Sequence, residues 1–101
     1  MKQFKGTKGK WRIIEKQVPH TGGLILEVHE FQNNLQGCII GRVTTNNYEA
    51  RRANAQLIAA APELLENLLR IVDRLEECDL QHNFPSAYER AKKSINKALG
   101  Q

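Results

Sequence analysis

The side chains with the greatest chemical potential lie in the stretch RVTTNNYEARRAN, from Arg42 to Asn54. Arginine guanidinium groups bind phosphate in a bidentate manner, and the start of a helix offers backbone N–H groups to an anion. Aromatic rings can stack on a nucleobase, and amides supply further donors and acceptors. The candidate ligand-binding residues are therefore Trp11, Arg42, Asn47, Tyr48, Arg51, Arg52 and Asn54. A second interpretation of the stretch is a capped helix whose arginines face solvent.

The remaining polar residues do not form a recognisable catalytic pattern. His20, His29 and His82 lack the spacing to cysteine or carboxylate that metal sites show. Glu27 and His29 share one strand face and could form an acid–base pair, although a solvated strand face is the simpler interpretation. There is no nucleophile motif and no phosphate-binding glycine loop. We therefore expect a protein without enzymatic activity, cofactor or metal.

The charge of the chain suggests anionic partners. Its 101 residues carry a net charge of +4, and at this length one domain is expected. Residues 1–16 contain six basic residues against one acidic, residues 62–80 are acidic, and residues 86–101 are basic again. Such a distribution suits a nucleic acid, a nucleotide or an acidic protein. Without a signal peptide or an apolar span, we expect a cytoplasmic protein whose two cysteines are reduced and packed.

The alternation of apolar residues predicts a three-stranded antiparallel β-meander. A basic flexible arm is expected over residues 1–10, and the meander over residues 11–45. Its strands are WRIIEKQV, LILEVHEF and GCIIGRVTT, separated by the turn sequences PHTGG and QNNLQ. Leu24, Leu26 and Val28 are expected to face the core. Gly41 indicates a bulge or a close approach of backbones.

The period then changes to that of helices over residues 46–101. Either Asn46 or Asn47 is expected to cap the first helix, with Glu49 completing a capping box after Asn46. Its inward stripe is predicted to be Ala50, Ala53, Leu57, Ile58 and Ala61. Pro62 is expected to begin a second helix after a sharp corner at Ala61, and a kinked continuous helix is the alternative.

The second helix should extend to about Cys78, and a third should begin at Pro85. The second is predicted to turn Leu64, Leu65, Leu68, Ile71, Val72 and Leu75 inward. Ser86 and Glu89 have capping-box spacing in the third, and Gly100 is the expected stop. The predicted inward residues of the third helix are Ala87, Tyr88, Ala91, Ile95, Ala98 and Leu99. Three strands followed by two to three helices define an α+β domain.

The helical half carries a family resemblance. The sequences ANAQLIAAAPELLENLLRIV (53–72) and AYERAKKSINKALG (87–100) resemble small phage and prophage proteins with the signature NA-x-LI-x-AAP-x-LL. The layout is also similar to that of Thoeris anti-defence protein one, a phage sponge for cyclic nucleotide-like immune signals. This resemblance implies an oligomer that holds its ligand between the sheet of one subunit and the helices of another.

We therefore hypothesise a phage or prophage accessory protein that sequesters a nucleotide-type immune signal in the bacterial cytoplasm. One alternative is an inhibitor that binds a bacterial defence complex. Another is a nucleic-acid-binding protein that uses residues 1–16 and 90–97. Leu69 and the alanine stripe exceed the needs of a monomer core, which predicts a homo-oligomer.

Overall fold

The computed structural model describes residues 4–7, 9–18, 23–32, 35–44 and 47–101. Three strands, β1 (Lys10–Gln17), β2 (Leu24–Gln32) and β3 (Leu35–Val43), precede two helices. The helices are α1 (Tyr48–Glu77) and α2 (Pro85–Ala98). The α+β class and the order of strands before helices are confirmed. Several residues with sequence-based predictions lie outside the described residues: Pro19, His20, Gly22, Asn33, Asn34 and Asn46.

The strands form one antiparallel sheet in the order β1-β2-β3. In β1 and β2, Gln17 pairs with Leu24 at one end and Lys10 pairs with Phe31 at the other. The register of β2 with β3 shifts between Val28 and His29 and again before Phe31. Gly41 pairs with Val28 directly at the first shift, as its position in the sequence suggested. On the same side of this shift as Gly41, Arg42 pairs with Glu27.

The third strand begins earlier than the sequence indicated. Leu35 and Gln36 were predicted to belong to the turn QNNLQ, and the strand was predicted to start at Gly37. Both residues are in β3 and pair with Gln32 and Phe31. The strand also ends at Val43, before the two threonines that were assigned to it. The polar residues around Leu35 concealed this start. On an edge strand, Leu35 is exposed to solvent and gives no alternating apolar pattern.

The chain forms two compact units, and the first covers residues 6–62. Its core joins Leu26 of β2, Val43 of β3 and Ala55 of α1, with Ile13 of β1 packed against them. Leu26 and Ala55 are completely buried. The inward stripe predicted for this part of α1 was therefore wrong, since Leu57 is 63% exposed.

The physical reason lies in polar contacts that hydrophobicity does not reveal. Arg51 and Arg52 both bond to the sheet, and these contacts fix which side of α1 faces it. Ala55 follows one turn after them and therefore meets the sheet. Its methyl group allows the helix backbone to approach Leu26 and Val43 closely.

Pro62 does not begin a second helix, because α1 continues through it to Glu77. An internal proline removes one hydrogen bond and crowds the preceding turn, at a cost of about 3 kcal/mol. The alanines before Pro62 and the glutamate and leucines after it are strong helix formers that help to offset this cost. Pro62 is nevertheless the last residue of the first unit. The proline thus separates two units without ending the helix.

The second unit comprises residues 63–101 together with Phe4 and Lys5. Its buried apolar side chains are Val72 of α1 and Ile95 of α2. Leu64 and Ile71 were predicted to point inward, but they are 54% and 57% exposed. The apolar residues of this segment span about half of the circumference of the helix, which is wider than the face that a single partner helix covers.

The ends of the helices explain where this unit turns. Asp79 has a φ of 55°, and the amide of Leu80 donates to the carbonyl of Leu75, which closes α1. Gly100 has a φ of 77° and ends α2 in the same manner, which confirms its predicted role. At the start of α2 the predicted capping box is absent. Phe84 is the N-cap without a side-chain hydrogen bond, and Pro85 occupies the first turn.

Both cysteines, Cys38 and Cys78, are free, but they are exposed and not packed as predicted. Neither helix in the described part of the chain is both long and apolar enough to cross a membrane.

Candidate functional site

The start of α1 is fixed by Asn47. Its side-chain oxygen accepts a hydrogen bond from the amide of Ala50 at 3.2 Å, and its carbonyl accepts from the amide of Arg51 at 2.8 Å. Asn47 is therefore the N-cap, the second of the two residues that the sequence offered. Tyr48, Arg51 and Arg52 follow this cap within the first five residues of α1.

Arg51 joins this first turn to the sheet. Its Nη1 donates to the carbonyl oxygen of Leu24, at the start of β2, over 2.7 Å. The guanidinium carbon lies 5.9 Å from the centre of the Tyr48 ring, within range of a cation–π contact. Tyr48 itself is 47% exposed. These contacts hold the Arg51 guanidinium group in one place beside an accessible aromatic ring.

Arg52 forms an ion pair with Glu15 of β1. The two side chains are 40% and 44% exposed, so water reaches both partners. Residues Glu15, Leu24, Asn47, Tyr48, Arg51 and Arg52 together form what we call the sheet–helix corner. The guanidinium groups of two consecutive residues, each held by a partner on the sheet, are its main chemical feature.

Arg42 lies on the other face of the sheet. Successive residues of a strand point to opposite faces, and Val43, the neighbour of Arg42, packs against Ala55 of α1. Arg42 accordingly pairs with Glu27, whose own neighbour Leu26 also faces the helix. The strand geometry therefore separates Arg42 from the sheet–helix corner.

A network of polar side chains surrounds Glu27 on this second face. Its Oε1 lies 3.0 Å from Lys16 Nζ and 2.9 Å from His29 Nε2. Its Oε2 accepts from Arg42 Nε at 3.2 Å and from Nη2 at 3.0 Å. We call Lys16, Glu27, His29, Gln36 and Arg42 the Glu27 network.

The network keeps Glu27 ionised. The hydrogen bond from His29, followed by those from Lys16 and Arg42, lowers the pKa of Glu27 from 4.5 to about 2, although burial opposes this shift. The Glu27 side chain is only 2% exposed. The solvated face expected for Glu27 and His29 was therefore wrong. β2 is the central strand, and long side chains from both neighbouring strands cover its polar residues.

The geometry gives Glu27 and His29 a structural role. Both carboxylate oxygens of Glu27 are engaged, and His29 Nδ1 lies 2.9 Å from Gln36 Nε2. A carboxylate with a pKa near 2 is a poor base at neutral pH. One feature of the sequence could have predicted the Glu27 network. Both strands that flank the acidic residue of the central strand carry basic residues.

Trp11 lies far from the corner along the sheet. It pairs with Glu30, whereas Leu24 of the corner pairs with Gln17. Six residues of β1 separate Trp11 from the level of Leu24, or about 20 Å at the usual strand rise, and four separate it from Glu15, or about 13 Å. The Trp11 indole N–H donates to the carbonyl oxygen of Thr7 at 3.2 Å. Asn54, another predicted site residue, is an exposed side chain on α1.

The basic residues of α2 form a separate surface in the second unit. Lys93 and Lys97 are exposed, and Lys92 Nζ lies 5.5 Å from the centre of the Tyr88 ring. Of the predicted basic arm, Lys5 is exposed and Lys10 belongs to β1. No cluster of three or more His, Cys, Asp or Glu residues with the geometry of a metal site occurs among the described residues.

These features define a small α+β protein with a sheet–helix corner rich in arginine. Over residues 1–101 the chain matches the family described as Salmonella phage P22 protein Y8K6, and it belongs to this family of phage proteins. No curated protein and no solved structure matches the chain significantly.

Proposed function

We propose that the protein is a non-catalytic phage accessory protein that binds and sequesters a nucleotide-type immune signal at the sheet–helix corner. The observation that carries the proposal is the pair of guanidinium groups of Arg51 and Arg52, held against the sheet near the start of α1. Membership of a phage protein family supports an accessory role in infection.

Fixed guanidinium groups favour the binding of phosphate. A side chain already held in place loses less conformational entropy when a ligand arrives. Arg51 is fixed by the Leu24 carbonyl and by Tyr48. The positive end of the helix dipole lies at the same turn and favours a negative ligand. The phosphate of the ligand would bind here, and its base would stack on Tyr48.

Glu15 would compete with the ligand for Arg52. The carboxylate already occupies part of the guanidinium group, and both side chains are accessible to solvent. A phosphate that binds Arg52 must displace or share this partner, which costs affinity. Removing the charge of Glu15 should therefore strengthen binding. A purely structural ion pair would not show this effect.

Calorimetric titration with cyclic dinucleotides, cyclic trinucleotides and cyclic ADP-ribose isomers tests the proposal. We expect saturable heat with at least one compound, weaker binding by Arg51→Gln and Arg52→Gln, and tighter binding by Glu15→Gln. Lys93→Gln removes one exposed positive charge from α2 and is the matched control, with affinity equal to that of the wild type. If none of the compounds produces heat, the proposal is wrong.

A second candidate function is nucleic-acid binding through α2. The specific observation is the Lys92–Tyr88 contact beside exposed Lys93 and Lys97. Lysines next to an aromatic ring can bind a phosphate backbone and a base together. Retention of DNA or RNA should then fall steeply as salt increases, and Lys93→Gln should reduce it. Lack of retention at low salt would exclude this candidate.

A further inference from the structure

The lysine and arginine side chains of the three strands all lie on the face of the sheet opposite to α1. Arg12 lies over the Phe31 ring, and ion pairs from both flanking strands reach the carboxylate of Glu27 on this face. Successive residues of a strand alternate between the two faces, which assigns the remaining positions. We call this side of the sheet the outer face, and its main members are Lys10, Arg12, Lys16, Glu27, Phe31, Ile39 and Arg42.

The acidic residues of the sheet lie mostly on the opposite side. Glu15 pairs with Arg52 of α1 and therefore belongs to the helix side of the sheet. Glu30 directly precedes Phe31 on β2, so its side chain also points to the helix side. Among the described strand residues, only Glu27 adds a carboxylate to the outer face. This face therefore carries four basic residues against one acidic.

The basic side chains of the outer face are accessible to solvent. The side chains of Lys16 and Arg42 are 53% and 55% exposed, and Arg12 is exposed as well. Their carboxylate partner Glu27 is only 2% exposed, because the longer side chains cover it. A ligand that approaches the sheet therefore meets the positive charges first.

Contacts within the outer face hold two of its guanidinium groups in place. Arg42 donates to one oxygen of the buried Glu27 carboxylate through Nε at 3.2 Å and through Nη2 at 3.0 Å. The guanidinium carbon of Arg12 lies 5.1 Å from the centre of the Phe31 ring, a cation–π contact. Side chains that are already ordered lose less conformational entropy when an anion binds.

The positive charges occupy two places on the outer face. Lys16 and Arg42 meet at Glu27, whereas Arg12 lies over Phe31. Glu27 and Phe31 are four residues apart on β2, which corresponds to about 13 Å at the usual strand rise. One phosphate group cannot contact both places, but a chain of phosphates can. The spacing and the sign of the charges therefore favour a polyanion.

The outer face also offers groups that can contact nucleobases. The planar guanidinium group of Arg12 lies over Phe31, and Ile39, which pairs with His29, is 50% exposed. Bases stack on arginine planes and on aromatic rings. Base faces are accessible in a single strand, whereas in a duplex the neighbouring base pairs cover them. These groups therefore favour a single strand over a duplex.

We propose that the outer face binds single-stranded nucleic acid, with phosphates at Lys16 and Arg42 and a base stacked on Arg12. The surface includes Arg42, which the strand geometry separates from the sheet–helix corner on the helix side. It also differs from the lysines of α2, which belong to the second unit. The proposal does not depend on nucleotide binding at the corner.

Fluorescence anisotropy with a labelled oligo(dT) of about 12 nucleotides, a length that sheet surfaces of this kind cover, tests the proposal. Arg12→Gln should weaken binding by at least about fivefold, because a charge and a stacking plane are lost. Arg12→Lys keeps the charge and should have an intermediate affinity. Arg74→Gln removes the same charge from a side chain of α1 that is 75% exposed, and it should bind as the wild type does. Melting curves of the Arg12 variants should match that of the wild type, since Arg12 is exposed.

The salt dependence and a duplex of the same length identify the kind of ligand. Three phosphate contacts give a slope of about −2 in a plot of log K against log salt, and Arg12→Gln should reduce it by about 0.7. The duplex should bind more weakly than the single strand, and Lys93→Gln on α2 should leave the affinity unchanged. Preference for the duplex, or an equal loss in Arg74→Gln or Lys93→Gln, would overturn the proposal. Absence of binding at low salt would also overturn it and would favour an acidic protein as the partner of the outer face.

Discussion

Which side of α1 packs on the sheet can be tested by enlarging two alanines on the same helix. Ala55 is completely buried against Leu26 and Val43, whereas Ala53 is exposed. The sequence pattern had placed Ala53 inward. Leucine at each position adds three carbon atoms, so Ala55→Leu and Ala53→Leu differ in location and not in chemistry.

Ala55→Leu should destabilise the protein by about 1–3 kcal/mol, because a packed core must shift to admit the larger side chain. For a domain of this size, each kcal/mol lowers the melting temperature by about 4–8 °C, which gives a decrease of about 4–24 °C. Ala53→Leu, on the surface, should change stability by less than about 0.5 kcal/mol. Thermal unfolding followed by circular dichroism measures both effects.

The control for this pair is the far-UV spectrum at low temperature, which should be the same in both variants. Equal melting temperatures of Ala55→Leu and the wild type would refute the packing described for α1. A large decrease for Ala53→Leu alone would restore the helix face that the sequence suggested.

Three further predictions concern single residues. Because the pKa of Glu27 is lowered to about 2, its ionised form stabilises the fold above about pH 4.5, and this stabilisation should be lost as the pH falls from 4.5 toward 2. Melting temperatures between pH 7 and pH 2.5 should therefore depend less on pH in Glu27→Gln than in the wild type, and equal slopes would contradict the network. Asn47→Ala should cost about 1 kcal/mol in urea unfolding because the N-cap is lost, whereas Asn47→Asp should retain most of the stability. Gly100→Ala should lower the melting temperature by a few degrees, since alanine is strained at a φ of 77°, and an unchanged value would argue against the helix end described.

The sequence predicts the sheet better than the packing of the helices. Alternating apolar residues correctly indicate three strands, because the side-chain period of a strand is visible in a single chain. The end of α2 at Gly100 is also local, since it depends on the conformation of one residue. The prediction that Pro62 begins a helix was wrong. The proline destabilises a single turn, whereas 30 residues contribute to the stability of α1.

The inward face of α1 could not be deduced from hydrophobicity. Arg51 and Arg52 fix the helix on the sheet through a carbonyl oxygen and a carboxylate that lie far away in the chain. The arrangement of the candidate ligand-binding residues could not be deduced from the sequence pattern either. The sequence identified the arginines, but only strand alternation in the folded sheet separates Arg42 from them. No feature of the sequence identified Glu15 as the partner of Arg52.

The most direct test of nucleotide binding at the sheet–helix corner is a two-dimensional 1H–15N NMR titration of the wild-type protein. Each cyclic nucleotide of the calorimetric panel is added in turn. We expect at least one compound to shift the backbone amides of residues 47–52 and the Nε–Hε signals of Arg51 and Arg52. Unchanged spectra with every compound, or shifts confined to residues 90–97 of α2, would contradict it.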